Sequence, residues 1–386
     1  MARIIILTRN FPPMVGGMEN LLEDIYGYLT PRHNVSVIAP GDPRREDDPR
    51  VTRITGRSVA WFLLRSFFTT LGLALQKKPH LIISGSLLVS PVAVAAGVLT
   101  GAKRITVCHG LDVIFPNPLY QLVLKATFKL NTALVANSGN TKKILTGKGY
   151  PDDLITIINP GVSERYLKIL NDKKAETPGK RQFDWEGKPA ILSAGRLTER
   201  KGVLPFLRRS FVDILRQVPD CMFVVVGDDP VDALAHSTGE LSKIKTAVEE
   251  LKLSGNVRFY GYLNDHELVN IYGAVQLLVF PLVEVPGDIE GFGMVAIEAA
   301  AAGTPTVAMD CGGVSDAVVH GETGILITPG DYESFNQAVI ELLGDDSKRL
   351  AMGERARQTA MSRFTSQALA AKWNEFVESL VKQQQV

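Results

Sequence analysis

Glu290-Gly291-Phe292-Gly293-Met294-Val295-Ala296-Ile297-Glu298, running on through Ala299-Ala300-Ala301-Ala302-Gly303-Thr304-Pro305, is the stretch of this chain best equipped for chemistry. Two carboxylates stand eight residues apart, the first ahead of a Gly-Phe-Gly turn, the second inside an alanine-rich helix. Glycines let a backbone approach a ligand closely. A helix starting directly after them aims free N–H groups and the positive end of its dipole at an anion. A carboxylate about two turns further in can accept hydrogen bonds from a diol such as a ribose. Diphosphate at the turn and sugar hydroxyls on the acids together describe a sugar nucleotide. The competing reading is a small-residue helix packed on a sheet with both glutamates solvated. Glu298 argues against it, because an acid in an otherwise apolar run is costly to bury without a partner.

A second group precedes it: Ser193-Ala194-Gly195-Arg196-Leu197-Thr198-Glu199-Arg200-Lys201-Gly202. A strand ends in small residues, and two cations lie five apart in the loop that follows. Arg196 can fork onto a phosphate, and Lys201 supplies a mobile point charge. Arg200 reads as a solvated bystander. The first half opens similarly: strand one runs into Asn10-Phe11-Pro12-Pro13-Met14-Val15-Gly16-Gly17-Met18-Glu19 and then a helix. Gly16-Gly17 can bring a diphosphate or sugar close to backbone, though this is not the G-x-G-x-x-G dinucleotide fingerprint. His109, at a strand's carboxyl end before Gly110, is placed to hydrogen-bond a sugar hydroxyl. Asn137-Ser138 reads as acceptor-side lining and Asn159-Pro160-Gly161 as a turn near a hinge. No catalytic triad, Walker loop or metal-ligand spacing is present, and the aspartate pairs Asp47-Asp48 and Asp228-Asp229 read as loop residues rather than a magnesium site.

Positioning these residues requires strands that end where the motifs begin. In the first half, strands are expected at 4–7, 35–38, 81–84, 104–108, 133–136 and 155–158, with helices at 19–29 and from 90. Residues 171–189 have a linker's composition, polar and charged with two prolines and two glycines. The pattern then restarts, with strands at 190–193, 222–226, 257–260, 276–280, 306–309 and 324–327. Helices fall at 206–216, 241–251, 265–272, after Gly293, and at 334–343, 347–362 and 368–382. Such alternation predicts α/β architecture with parallel sheets and helices on both faces. The expected division is an N-terminal domain over 1–171, a linker over 172–189 and a C-terminal domain over 190–364, with 365–386 as a last helix.

The bulk properties agree. A chain of 386 residues exceeds one ordinary core. Hydrophobic residues make up 45% and charged residues 22%, which excludes a disordered chain. Cys108, Cys221 and Cys311 are scattered, which argues against a disulfide framework or zinc site and for a reducing, cytoplasmic setting. The apolar run at 4–7 is too short for a signal peptide, and the run at 87–100 is too short to span a bilayer and fits a buried helix. Residues 1–171 hold 20 Lys and Arg against 11 Asp and Glu, and residues 172–386 hold 22 against 30. A basic first half fits peripheral contact with an anionic membrane; no nucleic-acid motif accompanies it. Trp61-Phe62-Leu63-Leu64-Arg65-Ser66-Phe67-Phe68 carries the same two readings, a buried helix first and a membrane-facing one second.

Together these segments resemble the GT-B glycosyltransferases, and within them the retaining family 4. The Gly-Gly-Met-Glu loop, His109 after its strand, the Gly-Arg…Arg-Lys-Gly segment and Glu290…Glu298 all match. So do Gly312-Gly313-Val314-Ser315-Asp316 and Gly321-Glu322-Thr323-Gly324 further on. The resemblance covers nearly the whole chain. It implies two Rossmann-like domains, the second holding the nucleotide, with the last helix crossing back onto the first. It implies that Arg196 and Lys201 bind the diphosphate, Glu298 the ribose and Glu290 the donor sugar, with backbone at Phe292 and Gly293 also touching the donor. Tyr262 and Leu263 lie where such enzymes hold the base. Gly16 and Gly17 would approach phosphates or acceptor, and His109 the sugar. The connection from Phe280 to Glu290 is longer than usual and resembles that of lipid-linked mannosyltransferases. The implied reaction is hexose transfer with retention and no obligatory metal, from a sugar nucleotide to a lipid-linked or cell-surface glycan. Mannose from GDP-mannose is the first donor to consider and a UDP-sugar the next. Rival readings are a sugar-nucleotide epimerase, a nicotinamide oxidoreductase and a non-catalytic nucleotide-sugar-binding subunit.

Overall fold

The computed structural model describes residues 1–14, 16–42, 48–56, 58–175, 183–185, 187–229 and 239–382. Val15, Asp47 and part of the polar stretch expected to link two domains lie outside the described residues. The chain forms two compact units, one of residues 1–161 with 366–386, the other of residues 162–365. The division therefore falls upstream of the polar stretch. The reason is the Glu164–Ala175 helix, which packs on the Asp265–Ala274 helix of the second unit.

In the first unit, β1 (Arg3–Leu7), β2 (Asn34–Pro40), β3 (Val51–Ile54), β4 (Leu81–Ser84), β5 (Lys103–Cys108), β6 (Ala133–Ala136) and β7 (Ile155–Ile157) form one parallel sheet. Its order is β3-β2-β1-β4-β5-β6-β7, so the order in which strands are added reverses between β1 and β4, which still run parallel. Alternate side chains serve opposite cores, as strand geometry demands. Ile4, Ile6, Leu81 and Ile83 join one core, with the Gly17–Leu29 helix and Trp373 and Val377 of the Ser366–Lys382 helix. Ile5, Leu7 and Ile82 join the other, under Phe62 and Ala74 of the Val59–Lys77 helix and Ala93 and Ala96 of the Ser90–Thr100 helix. The last helix is also pinned by hydrogen bonds, from Asn374 Nδ2 to Tyr28 O (3.0 Å) and from Lys103 Nζ to Leu380 O (2.6 Å).

Two elements of this unit depart from expectation. The strand at Val51–Ile54 was not anticipated. Its alternation is too short and too polar to stand out, and it exists because β2 offers it a partner. The Trp61–Phe68 run does not form a buried helix. It lies in a 19-residue helix with Phe62, Ser66, Thr70 and Ala74 buried, while Trp61, Leu64 and Phe68 face outward at 46%, 53% and 63% exposure. The helix at Ser90–Thr100 buries Ala93, Val94 and Ala96 but leaves Val98 and Leu99 exposed at its end.

In the second unit, β8 (Ala190–Ala194), β9 (Met222–Val226), β10 (Val257–Phe259), β11 (Leu277–Phe280), β12 (Thr306–Met309) and β13 (Gly324–Ile327) form a second parallel sheet. Its order is β10-β9-β8-β11-β12-β13, reversing between β8 and β11. The central strands are buried on both faces, and Phe206, Phe211, Phe223 and Phe335 pack together on one side. In sheets of this kind ligands gather beyond the carboxyl ends of the strands, at the reversal point. Gly195 and Arg196 follow β8 there, and the long connection to Glu290 follows β11.

Candidate active site

The loop after β8 makes a short turn at Glu199–Lys201 and enters the next helix through Gly202. Gly202 has φ +68°, and a Cβ there would lie 1.8 Å from Pro281 O, so only glycine lets this loop touch the one after β11. The two loops are joined by Val283 N–H donating to Arg200 O (3.0 Å). The β11 connection folds back on itself, with Val285 bridged to Asp288, and delivers Asp288 and Glu290 to the cations. Gly312 (φ +63°) closes the other side: a Cβ there would fall 2.4 Å from Glu290 O, which instead accepts the Gly313 N–H at 2.9 Å.

Four charged side chains meet at this junction. Lys201 Nζ lies 2.8 Å from Glu290 Oε2 and 4.5 Å from the centre of the Phe280 ring. Arg200 spans Glu290 Oε2 (Nη1, 3.5 Å) and Asp288 Oδ1 (Nε, 3.3 Å). All four side chains are 9–12% exposed. Burial works to raise the Glu290 carboxyl, but Lys201 and then Arg200 hold it below its ordinary value. Burial pushes Lys201 down against the pull of Glu290, with Arg200 and Arg196 adding to the push. The quartet is charge-neutral, so a diphosphate arriving beside it meets a lysine already engaged with a carboxylate.

This corrects the expectation for Arg200, which is not a solvated bystander. It is buried, because two carboxylates from the β11 connection reach it. Arg196, by contrast, is exposed, and its charge bears on Lys201 and Glu290 from outside the quartet. Sequence reasoning missed Asp288; the available signal was an acid two residues before Glu290 in a connection of unusual length.

Phe292 and Gly293 are buried, and Gly293 caps the Met294–Ala302 helix, whose first N–H groups have no partner within the helix. Glu298 sits one turn before the end of that helix, half-buried. Its Oε2 accepts from Tyr272 Oη (3.2 Å), and its backbone oxygen accepts from Tyr166 Oη (3.1 Å). Burial raises its carboxyl from the ordinary 4.5 to about 7. Tyr262 and Leu263, beyond β10, line a cavity of about 310 Å³ with Phe183, Tyr260, Glu267 and Ile271. Phe183 stacks on the buried Trp185 at 4.4 Å, giving one wall a flat aromatic face. Phe183 carries no local signal in sequence, because nothing local marks a wall built from distant segments.

The first unit brings its own residues together across the ends of β1, β4 and β5. His109 is 7% exposed, and its Nε2 lies 2.7 Å from Gly85 O, which fixes that nitrogen as the donor. Nδ1 is the ring atom left to accept. Asp112 holds the loop by accepting from His109 N (2.9 Å) and Leu87 N (3.0 Å). Gly16 precedes the Gly17–Leu29 helix as its cap, and Glu19, one turn in, accepts from Asn10 Nδ2 (2.6 Å). Asn137 and Ser138 are buried and committed to the Gly139–Gly147 helix through Thr141. They do not form an open lining.

Two units, each a parallel sheet whose strand order reverses at its middle, are the elements of the GT-B fold. Comparison with known proteins agrees. Residues 15–165 match the family described as Glycosyltransferase Family 4, and residues 177–359 match Glycosyl transferases group 1. The chain is 26% identical, over 98% of both sequences, to a GDP-mannose-dependent alpha-(1-6)-phosphatidylinositol monomannoside mannosyltransferase of Mycobacterium tuberculosis strain H37Rv. It is 36% identical over 58% of its length to a D-inositol 3-phosphate glycosyltransferase of Corynebacterium jeikeium strain K411, covering 52% of that protein. Among solved structures it is similar to sucrose-phosphate synthase of Thermosynechococcus elongatus (TM-score 0.78, 20% identity, 99% of this chain and 100% of that one). It is also similar to Anabaena HepE in complex with UDP-glucose (TM-score 0.72, 20% identity, 98% and 100%). The chain belongs to the family 4 glycosyltransferases of GT-B fold. It is a hexosyltransferase that uses a sugar nucleotide.

Proposed function

We propose that the protein transfers mannose from GDP-mannose, with retention of configuration, to a lipid-linked or cell-surface glycan acceptor. The observation that carries the site assignment is the buried Arg200–Lys201–Asp288–Glu290 quartet beside the N-terminus of the Met294–Ala302 helix. The donor choice is supported by full-length similarity to a protein named as GDP-mannose-dependent, and by the long β11 connection. A UDP-sugar is the alternative donor.

In this reading the base lies in the cavity at Tyr262 and Leu263, against the Phe183 face. The ribose hydroxyls donate to Glu298. The diphosphate meets Arg196, Lys201 and the N–H groups at Phe292, Gly293 and the first helical turn. As the glycosidic bond breaks, negative charge builds on the leaving phosphate, and fixed cations and N–H dipoles stabilise it without reorganising. When Lys201 turns toward phosphate, Glu290 keeps Arg200 as its partner and can accept from the donor sugar's hydroxyls. Arg196 and Lys201 thus supply the positive charge, so the reaction needs no metal. The acceptor hydroxyl attacks from the face the diphosphate leaves, and its proton passes to the departing phosphate oxygen. In the first unit, Gly16, Gly17 and the Nδ1 of His109 are assigned to phosphate, acceptor and sugar contacts. A lipid-linked acceptor also accounts for the basic first half, as peripheral attachment to the cytoplasmic face of an anionic membrane.

The test is a thermal-shift panel of GDP, UDP, ADP, their sugar conjugates and NAD, with and without EDTA. Binding to the folded state raises the melting temperature by mass action. A shift with GDP and GDP-mannose, unchanged by EDTA and lost in Glu298→Ala, is expected. A shift with NAD alone would overturn the assignment.

A further inference from the structure

The outward face of the Val59–Lys77 helix is apolar where a soluble helix would be polar. Trp61, Leu64, Phe68 and Leu75 share one face at helical spacing, 46–63% exposed, opposite the buried stripe of Phe62, Ser66, Thr70 and Ala74. The helix is long and apolar enough to cross a membrane. It packs instead on β1, β2 and the Ser90–Thr100 helix, so its free face lies along the unit's surface. The neighbouring helices also expose apolar side chains. Val98 and Leu99 are 52% and 64% exposed on the Ser90–Thr100 helix. Leu119 and Leu122 are 70% and 64% exposed on the Pro118–Thr127 helix, which packs against it.

Charge says what covers this surface. Residues 51–150 contain 12 Lys and Arg and a single carboxylate, Asp112, which is held by backbone N–H groups. Arg65, Lys78 and Lys125 are exposed on the same three-helix layer and have no carboxylate partner among the described residues. A protein partner with a matching apolar face would leave these cations unmatched. A bilayer with anionic headgroups satisfies both at once, burying the apolar stripe at the acyl boundary while the cations stay among the phosphates.

We propose that the helices Val59–Lys77, Ser90–Thr100 and Pro118–Thr127 form a docking face for an anionic lipid bilayer. This deepens the membrane attachment suggested under the proposed function by naming the surface, and it rests on that reading only for its purpose. Trp61 is a built-in reporter, since the other tryptophans, Trp185 and Trp373, are each 2% exposed.

The experiment mixes the full chain with phosphatidylcholine vesicles, with and without phosphatidylglycerol, in the absence of donor and acceptor. Pelleting and a blue shift of tryptophan emission are expected with phosphatidylglycerol, the shift disappearing in Trp61→Phe. Each apolar side chain removed should weaken binding about tenfold, so Leu64→Ser with Phe68→Ser should weaken it about a hundredfold. Arg65→Glu with Lys125→Glu should weaken pelleting too. Melting curves check that the variants remain folded, and the emission shift of the unaltered chain tests the idea without any variant. Failure to pellet, or pelleting that Leu64→Ser with Phe68→Ser leaves unchanged, would overturn the proposal. So would a vesicle-free dimer that the same double substitution dissolves, because a second copy would then be the occupant. Absence of binding leaves the transferase assignment standing, and absence of sugar transfer leaves the docking face standing.

Discussion

Glu298→Gln should make the protein more stable and less able to bind nucleotide, and the two effects should separate with pH. Burial raises the Glu298 carboxyl from 4.5 to about 7, against the hydrogen bond from Tyr272. Between those values the folded chain holds a proton that the unfolded chain has lost. Stability therefore falls as pH rises from about 4.5, and the loss is complete above about 7. The shift corresponds to roughly 3 kcal/mol at most, and about 2 kcal/mol once the solvent reaching a half-buried carboxylate is counted. Glutamine keeps the shape and can still accept from Tyr272, but has no charge to desolvate. At pH 8 the variant should melt about 4–8 °C above the parent, given a unit of this size; at pH 5 the difference should shrink to roughly a quarter of that. Calorimetric melts at both values test this, and comparison with the parent cancels every other titrating group. Nucleotide binding runs the other way. If ribose hydroxyls donate to the ionised carboxylate, affinity in the parent should fall about tenfold for each unit below pH 7, whereas the variant should bind weakly at every pH. A stability gain equal at pH 5 and 8 would refute the reasoning, because it would show that desolvation of Glu298 is not its source.

Lys201→Met should lower kcat by about 10²–10³ with a smaller effect on donor binding, the usual consequence of removing one group that stabilises a developing anion; steady-state kinetics decide. Arg200→Met should destabilise the protein by about 3–5 kcal/mol by leaving buried carboxylates under-neutralised, and adding Asp288→Asn should recover much of that loss in denaturant melts. Gly202→Ala should disrupt the site by driving the loops after β8 and β11 apart at Pro281 O, seen as lost nucleotide binding in a protein that retains its sheets by circular dichroism. EDTA should leave the initial rate of transfer unchanged.

The elements that carry the site were legible because parallel strands buried on both faces are written as short apolar runs, and because the glycines at Gly202, Gly293 and Gly312 mark places where only backbone fits. The pairing of the charges was not legible. Arg200 and Lys201 are neighbours in sequence, and nothing local says which of them a distant carboxylate will reach; Asp288 is brought to Arg200 by a fold-back of the β11 connection. Asn137 and Ser138 looked available at a strand end but are consumed in starting a helix. His109 was placed correctly at the end of β5, but its tie to Gly85 depends on β4 and β5 being neighbours, which is topology rather than sequence. The polar composition of residues 172–189 marks a linker by sequence, but the units divide in the Asn159-Pro160-Gly161 turn, the segment read as lying near a hinge. The chain instead passes from one unit to the other at Gly161, before a helix that packs in the second.

The most direct measurement is transfer of radiolabelled mannose from GDP-mannose into organic-extractable lipid by the purified protein, with Lys201→Met and Glu290→Gln beside it. The expected result is label in the lipid fraction, lowered at least about a hundredfold in Lys201→Met and also reduced in Glu290→Gln. No transfer from GDP-mannose or any UDP-sugar by folded protein, or transfer that both substitutions leave intact, would contradict the assignment of the Arg200–Lys201–Asp288–Glu290 quartet as the site of sugar transfer.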